Sequence, residues 1–192
     1  MMNGKDIQAA KSKVLDATLR VFNAKGLKFT MDDIASEVSM SKKTIYVLFE
    51  DKQSMFMEMV DYCFDGIKNE EQKVLDNKNL TTIEKIRAIL GVLPEGYKDV
   101  NFSLLYQLRA KYPTIYAAVE RRLETGWEST IALLEQGIRE GVVRPINVQL
   151  FKAVFEATVE QFFRRDVLVR NNITYADALQ EVVDILVDGI RA

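Results

Sequence analysis

Ser41, Lys42, Lys43 and Thr44 stand in an unbroken row, with Tyr46 just beyond. Two hydroxyls, two ammonium groups and a phenol make a set of hydrogen-bond donors suited to nucleic acid. Lysine can donate to guanine O6 and N7, the threonine methyl can touch that of thymine, and a tyrosine hydroxyl can reach a phosphate. Thr30 and Lys52 flank the run at expected helix starts, where free N–H groups and the helix dipole also favour phosphate. Bond-breaking chemistry has no such support. The chain contains no histidine, which removes the commonest general base, the commonest metal ligand and every Ser/His or Cys/His pairing. Glu120/Glu124 and Glu156/Glu160 are paired carboxylates at helical spacing. Without the histidines of a di-iron bundle they read as solvated faces or salt-bridge partners. No enzyme, metal site or cofactor is expected.

The donors need a scaffold, and residues 30–52, TMDDIASEVSMSKKTIYVLFEDK, supply one. Thr30 with Asp33 is a capping box that opens a short helix, buried through Ile34, Ala35 and Val38. Ser39-Met40 form a turn, and Ser41 caps a second helix over Lys42–Phe49, whose inward residues are Ile45, Leu48 and Phe49. Two short helices across a tight turn form a helix-turn-helix, and the N-terminal residues of the second helix contact base edges. Ahead of them a helix from Asp6 to Lys25 repeats Val14, Leu15, Leu19 and Phe22 on one face, and Gly26 ends it as a C′ residue. Asp51 caps a fourth helix carrying Met55, Phe56, Met59, Val60, Phe64 and Ile67.

Helical spacing continues to the C-terminus. Thr81 with Glu84 caps a helix toward Leu93, Pro94 and Gly96 interrupt it, and Phe102–Lys111 is a short helix. Pro113 starts a long helix to Glu140, ended by Gly141. Asn147 caps a helix reaching Arg170, and Thr174 with Asp177 caps the last, to Gly189. Strand-like alternation is absent, so the class is all-α: a three-helix helix-turn-helix head over residues 1–50 on a helical-bundle body over residues 51–192. The net charge is −2. Residues 1–54 carry nine Lys/Arg against seven Asp/Glu, and the rest 17 against 21, so a mildly basic head sits on an acidic body. The single cysteine, Cys63, excludes an intrachain disulfide and suits a reducing compartment. No apolar run is long enough for a membrane span and none at the N-terminus suits a signal peptide, so a soluble, cytoplasmic protein is expected.

Residues 11–56 resemble the DNA-binding head of the TetR-type (TetR/AcrR) transcriptional regulators. The resemblance rests on Gly26, Thr30, Ile34-Ala35, Ser39-Met40-Ser41, Thr44-Ile45-Tyr46, Phe49 and Lys52, about a quarter of the chain. Ser39 stands where the family usually has Gly, Leu48 where His or Tyr is frequent, and Lys43 where a small residue is frequent. The resemblance implies double-stranded DNA with a palindromic operator as partner, and phosphate contacts by Tyr46 and Lys52. It implies a homodimer built on the last two helices. It also implies a small-molecule effector, of unidentified nature, that releases DNA from a repressor. Apolar residues Phe151, Val154, Phe155, Val159, Phe162, Phe163 and Val167, with Ala178, Leu179, Val182, Leu186 and Ile190, are compatible with that homodimer, one helix face meeting the core and another a partner; the competing reading is that both helices only fill the monomer core. Phe102, Tyr106, Arg109, Trp127 and Phe162 are the candidate effector-binding residues. The competing expectation is a dimeric helical interaction module without DNA binding.

Overall fold

The computed structural model describes residues 4–98 and 107–192. Helix α1 spans Gly4–Lys25, α2 Met31–Val38, α3 Lys42–Leu48 and α4 Lys52–Asp76. The body continues with α5 Thr82–Leu90, α6 Leu108–Lys111, α7 Pro113–Glu124, α8 Glu128–Glu140, α9 Val148–Arg164, α10 Val167–Asn171 and α11 Tyr175–Ile190. Extended pairing among the described residues is limited to one isolated bridge between Val143 and Arg191. No helix among them is long and apolar enough to cross a membrane.

The head is α1 packed on α2, α3 and the start of α4. Of the residues expected in its core, Val14, Leu15, Leu19, Phe22, Ile34, Val38, Ile45, Leu48 and Phe49 are buried and Ala35 is half-buried, while Ala17, Val21 and Met31 join them. Gly26 ends α1 at φ 57°, in the left-handed region where a Cβ is a penalty. A single 3₁₀ turn, Gly26–Lys28, then carries the chain to Thr30. Helix α4 opens with a reciprocal cap, Ser54 N–H donating to the Asp51 carboxylate at 2.6 Å and Asp51 N–H to the Ser54 hydroxyl at 3.0 Å. With 25 residues it is about 37 Å long, and it packs on α1 at one end and on α5 and α7 beyond. Phe56 marks the junction. Its ring lies 6.0 Å from Phe22 and 5.7 Å from Phe29 in the head, and 5.8 Å from Tyr112 in the body.

In the body, α5 packs on α8 and α11, and α9 on α7, α8 and α11. Arg87 of α5 pairs with both Asp184 and Asp188 of α11. Two expected helices are each divided. The long helix from Pro113 stops at Glu124, and Gly126 takes φ 77° before α8 begins. Side chains there replace the helical ladder: the Thr125 hydroxyl donates to Arg121 O at 2.9 Å, Trp127 Nε1 to Leu123 O at 2.9 Å, and Lys68 Nζ from α4 to Gly126 O at 2.7 Å. The helix from Asn147 likewise stops at Arg164, where Arg165 is extended at φ −129°, ψ 161°. Beyond the bend, Leu168 is buried beside Phe162 and Ala178. α5 also ends at Leu90, short of the expected Leu93.

Ser39 ends α2 at φ 56°, ψ 42°, donating its N–H back to Ala35 O and Ser36 O. A left-handed residue with a Cβ costs about 1–2 kcal/mol, against about 0.5–1 kcal/mol of extra chain entropy lost on ordering a glycine. Ser39→Gly is therefore expected to stabilise the protein by about 0.5–1 kcal/mol, read as a higher urea midpoint at unchanged slope.

Candidate nucleic-acid interface

The turn at Ser39 sets the angle between α2 and α3, and caps fix both helices. The Thr30 hydroxyl accepts Asp33 N–H at 3.2 Å, while Thr30 N–H donates to the Asp33 carboxylate at 2.8 Å. The Lys25 ammonium, 2.5 Å from that carboxylate, and then the Thr30 donors lower the Asp33 pKa to about 2. Ser41 accepts Thr44 N–H at 3.0 Å, and the two hydroxyls are 2.8 Å apart. Each cap hydroxyl thus lies at an exposed helix start. The Thr30 hydroxyl also donates to Asp33, so its proton is already engaged.

On α3, Ile45 and Leu48 point inward, and Ser41, Lys42, Lys43 and Tyr46 outward, with Thr44 half-buried. Lys42 is paired across the turn with Asp32 at 2.8 Å, a hydrogen bond that raises its pKa. Lys43 has no ion pair among the described residues and is exposed. Val47 is 77% exposed, the most exposed large apolar side chain described. It was not among the sequence candidates because valine reads as core. The signal was present in the spacing: at 100° per residue, position 47 falls outside the face that buries 45, 48 and 49.

Lys52 does not join this surface. Its ammonium turns into the head, donating to Phe29 O at 2.5 Å and Leu27 O at 3.3 Å, and lies 3.9 Å from the centre of the Phe29 ring. The Tyr112 ring of the body lies 5.8 Å away. In the free chain this ammonium closes the α1–α2 connection over the start of α4.

The candidate effector residues disperse. Phe102 and Tyr106 lie outside the described residues. Arg109 is exposed on α6, outside the described cavities. Phe162 is buried against Tyr175 and Leu168 and lines neither of the body's apolar cavities. Trp127, edge-on to Phe155 at 5.5 Å, lines one of them. A second adjoins it, lined from α1 by Leu19 and Phe22 and from α4 by Phe56 and Cys63. By sequence Leu19, Phe22 and Phe56 fall on apolar helix faces, and nothing in the pattern assigns Cys63 to a cavity.

Replacing Lys52 by methionine keeps the apolar stem and removes the two carbonyl contacts. A charged hydrogen-bond donor of this kind contributes about 1.5–3 kcal/mol, so Lys52→Met is expected to lower stability by that amount in denaturant unfolding. Lys42→Met, at an exposed pair, is expected to leave the unfolding midpoint nearly unchanged.

Comparison with known proteins places this geometry. The sequence model of bacterial regulatory proteins of the tetR family matches residues 14–59, which hold most of α1, all of α2 and α3, and the start of α4. The HTH-type transcriptional regulator YvaF of Bacillus subtilis is 27% identical over 180 residues, 94% of this chain and 95% of that one. The negative transcriptional regulator IcaR of the Staphylococcus aureus biofilm operon icaADBC is 37% identical over 60 residues, 31% of this chain and 32% of its own. A TetR-family regulator structure from Agrobacterium tumefaciens superposes with a TM-score of 0.71 at 19% identity, covering 97% of this chain and 100% of that one. The head of this chain is thus that of the tetR family of bacterial regulatory proteins, and head and helical body together have the fold of TetR-family regulators.

Proposed function

We propose that this chain is a homodimeric repressor that binds a palindromic operator and leaves it when a small molecule enters the body. The observation that carries the reading is the outer face of α3. It is short, capped at Ser41, and turned to solvent through Lys43, Tyr46 and Val47. Lys43 and Thr44 are the base-reading residues, Val47 adds an apolar surface suited to a thymine methyl, and Tyr46 with Ser41 meets phosphates. Thr30 supplies a helix start to the flanking backbone, and Lys42 joins it by exchanging Asp32 for phosphate. Repression is the proposed sign because the IcaR head, similar to this one, belongs to a protein described as a negative regulator.

The proposed dimer face is the outer side of α9 and α11. Leu150 is 63% exposed and Ile185 65%, with Val154 exposed between them. Leu150, Val154 and Ala157 repeat at helical spacing on α9, and Val182, Ile185 and Gly189 on α11. A contiguous exposed apolar patch is a cost that burial against an equivalent patch removes. Two heads held about 34–36 Å apart then read successive turns of one duplex face.

Selection from random duplexes by the purified protein tests the reading, with a palindrome as the expected winner. Lys43→Ala is expected to change the preferred base at its position, and Tyr46→Phe to weaken all sequences alike, by roughly 1 kcal/mol each. Unchanged base preference in Lys43→Ala removes Lys43 from the groove. A folded protein that enriches no duplex favours the interaction module instead. For the dimer, Ile185→Asp combined with Val154→Asp is expected to give a monomer by sedimentation with helical content retained. A dimer that survives both substitutions places the interface elsewhere.

A further inference from the structure

The body's two apolar cavities are each about 100 Å³ and share Phe64, Ile67, Val92, Leu123 and Tyr175 as a common wall. The inner one has no charged residue among its described lining. Its polar atoms are the Cys63 thiol and the Tyr97 and Tyr175 phenols. Burial pushes the thiol up to about 12 and both phenols above their ordinary value, so all three stay neutral. The outer one is bordered by Lys68, Glu71 and Arg122. These cations are engaged: Lys68 with Glu71 at 2.7 Å and Gly126 O at 2.7 Å, and Arg122 with Asp65 at 2.6 Å and Asp61 at 3.4 Å. An anion entering here would lose its water and gain no unpaired cation.

Resting on the proposed effector response, we infer that the effector is an uncharged lipophile of about one to two fused rings, seated between α1, α4 and the body. The inner cavity differs from a pocket enclosed wholly within the body, because Leu19 and Phe22 of the head's first helix form part of its wall. Its occupant touches the head directly, on the side of α1 that faces Phe56. Phe64 stands in the wall common to both cavities, and the space of the two together sets the upper size.

Calorimetric titration of the full chain with β-naphthol and β-naphthoate tests the inference, since the two share a ring system and differ in charge. Saturable binding of naphthol, at least about tenfold tighter than naphthoate, is the expected result. Cys63→Phe and Val92→Phe fill the space from different walls. Each is expected to weaken naphthol by about tenfold or more, with cooperative thermal unfolding confirming the fold of whichever variant is compared. Equal or tighter binding of naphthoate overturns the ligand class. Naphthol binding unchanged in a folded filled variant overturns the place, and absence of saturable naphthol binding overturns both. DNA binding measured on the same preparation separates the two readings. Failure on duplexes with naphthol bound sinks the regulator, and failure on naphthol with duplexes bound sinks this inference alone.

Discussion

Phe56 receives rings from three directions, Phe22 and Phe29 from the head and Tyr112 from the body, and the arrangement of the whole molecule depends on that contact. One residue-turn away, the Lys52 ammonium lies against the Phe29 ring and within reach of Tyr112. Both side chains stand at the start of α4, a 25-residue helix that packs on head and body alike. A helix held by continuous backbone hydrogen bonds does not bend sharply without a proline, a bulge or an inserted side chain. Displacement of its body half is therefore delivered to the head as tilt. Met55 and Phe56, on the helix that starts the body, pack into the head: the Met55 sulfur lies 3.6 Å from the Thr18 hydroxyl, and the Phe56 ring lies beside Phe22 and Phe29.

What the sequence made legible in the head is local chemistry. Thr30 with Asp33, Ser41, Asp51 and Gly26 are caps and stops whose partners lie within three or four residues, and the structure forms each as expected. Periodicity likewise found the buried residues of α1–α3. The inward turn of Lys52 is not legible in the sequence because the destination of a long flexible side chain is a tertiary fact, decided by carbonyls at residues 27 and 29 rather than by its own neighbours. In the body the breaks at Gly126 and Arg165 escaped for the same reason. A lone glycine is tolerated in a helix, and only Lys68, arriving from α4, Thr125 and Trp127 make stopping there favourable. Sequence points to aromatics on the middle helices and to the Arg109 charge, whereas the cavity walls come as much from α1 and α4.

The C-terminal helices show why periodicity alone could not separate core from interface. α9 carries more apolar residues than one face can hold. The structure buries Phe151, Phe155, Val159, Phe162 and Phe163 and leaves Leu150 and Val154 outside. On α11 it buries Leu179, Val183, Val187 and Ile190 and leaves Ile185 outside. Both helices thus have two apolar sides, one already satisfied within the chain. The monomer-core reading holds for most of the residues that had been open to either use. The residues the monomer leaves over are the ones on which the proposed dimer rests.

On the proposed function, charge alone cannot hold this protein on DNA. Of the three lysines in residues 30–52, Lys42 faces Asp32 and Lys52 faces carbonyls, leaving Lys43 as the one without an ion pair or carbonyl partner among them. Nonspecific affinity grows with the number of phosphates neutralised, so a single head of this composition binds any duplex weakly. Exposed pairs such as Lys42–Asp32 are weak and yield readily to a phosphate, but only where the helix is already seated. Seating then falls to short-range groups that require the correct base: the Lys43 ammonium, the Thr44 methyl and the exposed Val47. A protein that relies on fit more than on charge needs two heads to reach useful affinity. It is also sensitive to their spacing, which a tilt of α4 changes directly.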